Sequence, residues 1–288
     1  MAFGDCHMKK KKNSQEENLP LQILNKAKKI FDSKQWNYED ELSDYLGDFC
    51  RTLSILNEEQ QELLLMLTQK FLWIKESEYL KHFLQVFDAF VSSYDFDNVK
   101  TIMFCPALPE DDFGKPKSSV ALLYKVKGRL SALQEKYNDF NITYIDSPQF
   151  LCNVTLDDTI LCLIDDFVGS GETIERVKKY IDDNKYSTDK LVVVSLVSMA
   201  NGKEYVKKLG IELFANIVCE KGISGCENEE ANRLIMEQIE KTIKVKSIYH
   251  FGYSQSEGLV KMIRTPNNTF PIYWLKNKQN SNAPFPRS

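Results

Sequence analysis

The first third of the chain carries apolar residues at steps of three and four positions. One such stripe contains Leu21, Leu24 and Phe31, and three similar stripes follow it. Apolar residues with this spacing lie on one face of an α-helix and are buried when helices pack together. The pattern predicts an all-helical N-terminal subdomain over residues 19–95.

After this region the pattern changes to short β-branched and aromatic runs separated by amphipathic stretches. Strands are predicted at 99–104, 141–145, 159–164, 191–197 and 213–219. Some of these runs are apolar from end to end, which is typical of parallel strands covered by helices on both faces. The sequence therefore predicts an α/β domain over residues 96–275, with a parallel sheet flanked by helices. Ligands of such sheets bind at the carboxyl ends of the strands.

The two ends of the chain are polar and lack periodicity. Residues 1–18 contain a run of lysines with no apolar segment after it, which is not the pattern of a signal peptide. We expect these residues to be disordered, and those before Met8 to be foreign to the native protein. Residues 276–288 are also predicted to be a disordered tail, because they are polar and aperiodic.

Composition adds a few constraints. The chain has 288 residues and 43% hydrophobic content, which is enough to build a buried core. The net charge of -4 comes from mixed charges, so no overall basic field indicates nucleic-acid binding. Seven cysteines, several of them in apolar stretches, indicate reduced thiols in a cytoplasmic protein. Three scattered histidines and no CxxC argue against a zinc site, and no apolar run is long enough for a membrane helix.

The stretch with the clearest chemistry is TILCLIDDFVGSGET, residues 159–173. An apolar strand ends in Asp165 and Asp166, and a Gly-Ser-Gly loop then opens a helical pattern. Backbone amides at such a helix start bind anions, and the helix dipole attracts the same charge. Ionised carboxylates only accept hydrogen bonds, so they suit sugar hydroxyls. We predict that the two acids bind a ribose diol and that residues 169–173 bind its 5-phosphate.

Other phosphate-binding motifs fit this stretch less well. The Walker pattern GxxxxGK[ST] is absent, and Ile174 stands where the dinucleotide fingerprint has its third glycine. A strand that ends in acids and turns through glycines into a helix, without any ligand, remains the alternative.

The same stretch resembles the phosphoribosyl pyrophosphate signature of type I phosphoribosyltransferases. That signature is an apolar run, two acids, three variable positions, Thr or Ser, Gly, any residue and Thr; here it is LCLI-DD-FVG-S-G-E-T. The resemblance implies a sheet of the type I kind and assigns the ribose 2- and 3-hydroxyls to Asp165 and Asp166. It assigns the 5-phosphate to Val168, Gly169, Ser170, Gly171, Glu172 and Thr173. It also implies phosphoribosyl pyrophosphate or a related nucleotide as ligand, with Mg2+ carried by the pyrophosphate and no separate protein metal site.

A pyrophosphate loop is expected after the first strand of the α/β domain. The candidates there are Lys115, Lys117, Ser118 and Ser119, which supply two cations and two hydroxyls at the start of a helix. A solvated surface loop is the alternative. The arginine-glycine pyrophosphate loop of the simplest family pattern is not found in the sequence.

A hood over the nucleobase is the remaining part of such a site. Asn267, Asn268 and Trp274 are the candidates, because amides recognise base edges and an indole offers a stacking face. The alternative is a turn at the asparagines with Trp274 packed in the core.

A second resemblance covers most of the chain. The helical N-terminus, Lys117–Ser119, SEGLV at 256–260 and TPNNTFPIYW at 265–274 resemble the phosphoribosyltransferase-like proteins of bacterial conflict systems, including antiphage and retron-type operons. This resemblance implies a cytoplasmic defence protein that is a possible phosphoribosyltransferase. It also implies a protein or ribonucleoprotein partner, or assembly into an oligomer. The alternative is a non-catalytic nucleotide sensor or scaffold subunit that docks such a partner.

Overall fold

The computed structural model describes residues 19–36, 43–154, 156–186 and 190–287; residues 1–18, with their predicted disorder, lie outside this part. The helices are α1 (Leu21–Ser33), α2 (Tyr45–Ser54), α3 (Glu58–Lys70), α4 (Tyr79–Ser93), α5 (Ser118–Lys127), α6 (Leu130–Lys136), α7 (Glu172–Asp183), α8 (Ala200–Lys208), α9 (Glu229–Thr242) and α10 (Pro271–Trp274). The strands are β1 (Leu72–Trp73), β2 (Thr101–Pro106), β3 (Asn141–Tyr144), β4 (Thr159–Val168), β5 (Leu191–Met199), β6 (Glu212–Cys219) and β7 (Val260–Lys261).

Five parallel strands form the central sheet, in the order β3-β2-β4-β5-β6. The chain adds β3 outside β2 on one side, and β5 and β6 beyond β4 on the other, so the connections change direction between β2 and β4. The pairing of these two strands ends at Pro106 and Ile164. Strand β4 continues beside β5 to Val168. The carboxyl end of β4 is therefore free on the β2 side, at the position where ligands of such sheets bind.

The prediction of an α/β fold with a parallel sheet, flanking helices and a helical N-terminal part is confirmed. One difference concerns β4, which is longer than the predicted 159–164 and includes both acids. Asp is uncommon in strands, so the sequence prediction ends the strand at the last residue of the apolar run. In the structure the strand continues through both acids.

Successive residues of β4 pack on opposite faces of the sheet. Ile160, Cys162 and Ile164 share a core with α4 and α5. Leu161 and Leu163 share another core with α7. This alternation directs the last side chains of β4 to both faces as the strand leaves the core.

Helix α4 belongs to the core of the sheet, although the sequence places it in the N-terminal subdomain. It contacts β5 and β6, and Phe83 and Phe87 pack on Phe104 of β2. A second link is the parallel pairing of β1 with β7. The boundary proposed near residue 95 therefore follows a helix that already covers the sheet.

The C-terminal segment is packed against the N-terminal helices. Phe285 is fully buried and contacts the rings of Trp36 and Phe71. Its backbone amide donates to the carbonyl of Tyr273 at 2.8 Å. The prediction of disorder over 276–288 is wrong for residues 276–287, because one buried aromatic residue anchors a stretch that has no periodicity.

Candidate functional site

A cavity of about 600 Å³ opens at the carboxyl ends of β2 and β4. It is lined by the acid pair, by residues 167–174, by 107–109 with 116–119, by 263–268, and by single side chains from other segments. The structure thus brings together most of the predicted site residues at the point where the strand order changes direction.

Asp165 and Asp166 are buried, with 7% and 3% of their surface exposed. The Asp166 amide donates to Oδ1 of Asp165 at 2.9 Å, and the Tyr79 hydroxyl donates to Oδ2 of Asp166 at 2.9 Å. Burial, followed by the charge of Asp166, raises the pKa of Asp165 well above its ordinary value. Two adjacent carboxylates with little access to water fit a ligand that supplies hydroxyl donors or a cation.

Tyr79, the first residue of α4, is a site residue that the sequence patterns do not reveal. Its hydroxyl is fully buried and also accepts a hydrogen bond from the amide of Ile263 at 2.9 Å. Burial, followed by the charge of Asp166, raises the pKa of Tyr79, so the hydroxyl keeps its proton and remains a donor. Tyr79 thereby ties the acid pair to the segment 263–268.

The loop after β4 turns into α7 at Gly171, which has a φ of 89°. Only glycine adopts this conformation readily. The first amides of α7 have no partner within the helix and belong to residues that line the cavity. Thr173 is exposed there, while Ser170 accepts a hydrogen bond from the Glu172 amide at 3.4 Å. Amides and hydroxyls at the start of a helix make a phosphate-binding arrangement.

The carboxylate of Glu172 has a different role from the rest of the predicted phosphate run. It accepts hydrogen bonds from the hydroxyls of Tyr253, at 2.5 Å, and Ser254, at 2.8 Å. These contacts hold the turn at 253–254 beside the cavity. Because a carboxylate repels phosphate, the group of Glu172 that fits a phosphate is its backbone amide.

The loop at residues 169–171, which is predicted to bind phosphate, is supported by close contacts on two sides. A Cβ atom at Gly169 would lie 2.2 Å from Oδ1 of Asn268. A Cβ atom at Gly202, in the first turn of α8, would lie 2.1 Å from the carbonyl oxygen of Gly169. The position of the loop therefore depends on the absence of side chains at both glycines. Gly202 lies outside the signature, and no sequence pattern connects it with the loop.

Three of the four predicted pyrophosphate-loop residues line the cavity: Lys117, Ser118 and Ser119. Lys115 does not line it. Both lysines are paired with Asp112, at 2.9 Å for Lys117 and 3.1 Å for Lys115. Burial opposes the ionisation of Asp112, but the hydrogen bonds from the two lysines hold its pKa below the usual value. One carboxylate thus offsets part of the positive charge that the two lysines bring to this loop.

Of the predicted base hood, Asn267 and Asn268 line the cavity and Trp274 does not. Trp274 is packed in the core, where its indole donates to the Thr269 carbonyl at 2.7 Å. The amide of Asn268 donates to the Ser256 hydroxyl at 2.9 Å and packs over Gly169. Asn268 therefore supports the loop at 169–171.

Three arginines that the sequence patterns do not single out also line the cavity: Arg176, Arg264 and Arg287. Arg176 forms an ion pair with Asp111. The other two come from the C-terminal third of the chain and have no carboxylate within ion-pair distance in the described part of the structure.

Other kinds of site have little support among the described residues. In the described part of the chain, no group of three or more His, Cys, Asp or Glu side chains is placed to hold a metal ion. Among the helices of the described ranges, none is long and apolar enough to span a membrane. Six cysteines fall in this part, and all are free thiols.

A parallel α/β sheet presents an acid pair, a glycine loop and a helix start on its central strand, the arrangement expected of a phosphoribosyltransferase-like protein. The sequence profile of the PRTase-CE family matches residues 54–287. The chain belongs to the PRTase-CE family.

Solved structures similar to this chain include two phosphoribosyltransferases. Orotate phosphoribosyltransferase from Aeropyrum pernix is 14% identical, with 59% of this chain and 77% of that chain covered and a TM-score of 0.31. Xanthine-guanine-hypoxanthine phosphoribosyltransferase from Helicobacter pylori is 13% identical, with 52% and 84% covered and a TM-score of 0.31. At this level of similarity, neither bears on what the chain binds. No curated protein matches the sequence.

Proposed function

We propose that this protein binds phosphoribosyl pyrophosphate or a related ribose-phosphate nucleotide in the cavity at the end of β4. The observation that carries the proposal is the pairing, within one cavity, of two buried carboxylates with a glycine loop at the start of α7. The carboxylates of Asp165 and Asp166 accept hydrogen bonds from the ribose 2- and 3-hydroxyls. The amides of residues 169–173 and the hydroxyls of Ser170 and Thr173 hold the 5-phosphate.

The donor set of the cavity also fits Mg2+ that arrives with a pyrophosphate ligand. Mg2+ prefers oxygen ligands and uses one or two carboxylates together with phosphate oxygens and water. Among the carboxylates that line the cavity, Asp112 is paired with two lysines and Glu172 accepts from two hydroxyls, so Asp165 and Asp166 are the ones left to hold the ion. When bound, the ion would offset the negative charge of the pyrophosphate.

The reaction that such a site supports is transfer of the ribose 5-phosphate group to a nitrogen nucleophile. The bond from C1 to the pyrophosphate oxygen breaks, and a bond from C1 to nitrogen forms. The residues of this chain contribute by fixing the diol and the phosphate, which orients C1 towards the acceptor.

A non-catalytic sensor or scaffold is the second candidate, and the lysine pairs with Asp112 favour it. An enzyme uses uncompensated cations at the departing pyrophosphate, and in this cavity Arg264 and Arg287, rather than the paired lysines, would have to supply them. The two candidates differ in whether pyrophosphate is released when a base or nucleic-acid acceptor is added.

The proposed setting is a cytoplasmic defence protein of an antiphage system of the retron-operon kind, with a protein or ribonucleoprotein partner. Its support is the resemblance of the segments at 256–260 and 265–274 to proteins of such operons. Co-purification with the products of neighbouring genes tests this setting. Comparing the native protein with an Asp165→Asn/Asp166→Asn variant in the same experiment tests whether ligand binding controls partner binding.

Calorimetric titration tests the proposed ligand. We expect ribose 5-phosphate and phosphoribosyl pyrophosphate with Mg2+ to bind the native protein, and both to lose at least about tenfold in affinity in Asp165→Asn/Asp166→Asn. Glu227→Gln/Glu230→Gln is a matched control, at exposed positions just before and within the first turn of α9. Absence of heat with every sugar phosphate, in a protein shown to be folded by its unfolding transition, would refute the proposal.

A further inference from the structure

The charges that line the cavity are unevenly compensated. Lys117 is paired with Asp112, and Arg176 with Asp111. Arg264 and Arg287 are the lining cations without a carboxylate partner among the described residues. Among the described residues, the one hydrogen bond that their guanidinium groups make to protein is donated by Nη1 of Arg287 to the Thr265 carbonyl oxygen, at 3.4 Å.

The fold holds these two arginines in the cavity that contains the acid pair. Arg264 follows Ile263, whose amide donates to the Tyr79 hydroxyl that in turn binds Asp166. The amide of Arg287 donates to the Trp274 carbonyl at 3.3 Å. Two residues before it, Phe285 is buried among the aromatic rings of the N-terminal helices. Both backbone positions are therefore fixed by contacts outside the cavity.

Holding these two charges near each other is unfavourable in the protein alone. Burial, followed by the positive charge of Arg264, lowers the pKa of Arg287. A half-buried guanidinium with no anion costs free energy that a bound oxyanion would offset. Guanidinium groups also match the oxygens of phosphate groups in pairs, which gives both strength and orientation.

We propose that Arg264 and Arg287 form a second anion site of the cavity, which binds a phosphate-class oxyanion separately from the loop at the start of α7. This inference deepens the proposed function and rests on it for the identity of the ligand. Under that function, the occupant is the pyrophosphate group of the donor, and the lysine loop at 115–117 is not its principal binding site. The same chemistry would serve a phosphate that belongs to a separately bound molecule.

Calorimetry at constant Mg2+ with inorganic pyrophosphate, phosphoribosyl pyrophosphate and ribose 5-phosphate tests the site. We expect Arg264→Gln/Arg287→Gln to weaken the first two ligands at least about tenfold, and to leave ribose 5-phosphate within about twofold, a difference worth less than about 0.5 kcal/mol. Retained binding of ribose 5-phosphate also shows that the variant is folded. Lys207→Gln/Lys208→Gln, at the exposed end of α8, removes the same charge and should change none of the three affinities.

The remaining outcomes separate the possibilities. Loss of pyrophosphate binding with unchanged binding of phosphoribosyl pyrophosphate supports the anion site and assigns its occupant to another molecule. Unchanged pyrophosphate binding in the arginine variant overturns the inference, as does a loss confined to Lys115→Gln/Lys117→Gln. A native protein that binds pyrophosphate through the arginines but no ribose 5-phosphate would retain this site and refute the proposed function instead.

Discussion

Gly202 offers the sharpest test of how the phosphate loop is held. In Gly202→Ala the new Cβ would lie 2.1 Å from the carbonyl oxygen and 2.9 Å from the carbonyl carbon of Gly169. These are backbone atoms, so no side-chain rotation relieves the contact. The loop and the start of α8 must therefore separate by at least about 1 Å to reach an ordinary contact distance.

Two opposing terms set the expected change in stability. Alanine is favoured over glycine inside a helix by about 1 kcal/mol. Overpacking of a close contact costs about 1–3 kcal/mol, and the upper part of this range applies because both partners are backbone. We expect a net loss of about 1–2 kcal/mol, or a fall of roughly 2–3 °C in the unfolding midpoint for a chain of this size.

Displacement of the loop should weaken ribose 5-phosphate binding at least about tenfold, because amide hydrogen bonds to a charged group depend steeply on geometry. Denaturant unfolding and calorimetry measure the two effects. Gly128→Ala is the matched control, since the nearest described atom to its new Cβ would be the Lys125 carbonyl oxygen, at an ordinary contact distance of 3.4 Å. If Gly202→Ala were as stable as Gly128→Ala and bound the sugar phosphate like the native protein, the support assigned to Gly202 would be refuted.

Three further variants test the connections around the site. Tyr79→Phe removes the donor to Asp166, and we expect a stability loss of about 1–3 kcal/mol in denaturant unfolding together with weaker ribose 5-phosphate binding; normal values in both would contradict the role of the hydroxyl. Phe285→Ala should cost about 3–5 kcal/mol by cavity formation, and a smaller loss than at an exposed phenylalanine would show that the C-terminal anchor is not formed. Burial raises the pKa of Glu240 to about 7, so its stabilising effect is complete below the unfolded pKa near 4.5 and is lost as pH rises through about 7. Glu240→Gln should therefore remove a fall of on the order of 3 kcal/mol in the free energy of unfolding between these two pH values. Glu237→Gln, at an exposed position of the same helix, is the control and should keep this fall.

The local parts of the fold follow from sequence patterns. Strand β4, the loop and α7 are adjacent in the chain, and their residue types suffice to indicate a strand, a turn and a helix start. The capping box at Asn57 and Gln60 that begins α3 is equally local. Local patterns also identify Asp165 and Asp166, because adjacent acids after an apolar run are unusual.

The residues that complete the cavity come from distant parts of the chain and carry no local signal. Tyr79 lies 87 positions before Asp166, and in the sequence it is only one more aromatic residue of an amphipathic helix. Arg264 and Arg287 stand in irregular segments whose paths depend on tertiary contacts. Trp274 illustrates the converse, since an indole near polar residues suggests a binding role while the structure uses it in the core.

Asp165 and Asp166 are proposed to accept hydrogen bonds from the ribose 2- and 3-hydroxyls. A comparison of ribose 5-phosphate with 2-deoxyribose 5-phosphate tests this role most directly. By calorimetry, the native protein should bind the deoxy sugar at least about tenfold more weakly, because it loses a hydrogen bond to a charged group. Asp165→Asn/Asp166→Asn should bind both sugars weakly and nearly equally. Equal binding of the two sugars by the native protein, or an undiminished preference for ribose in the variant, would contradict the account.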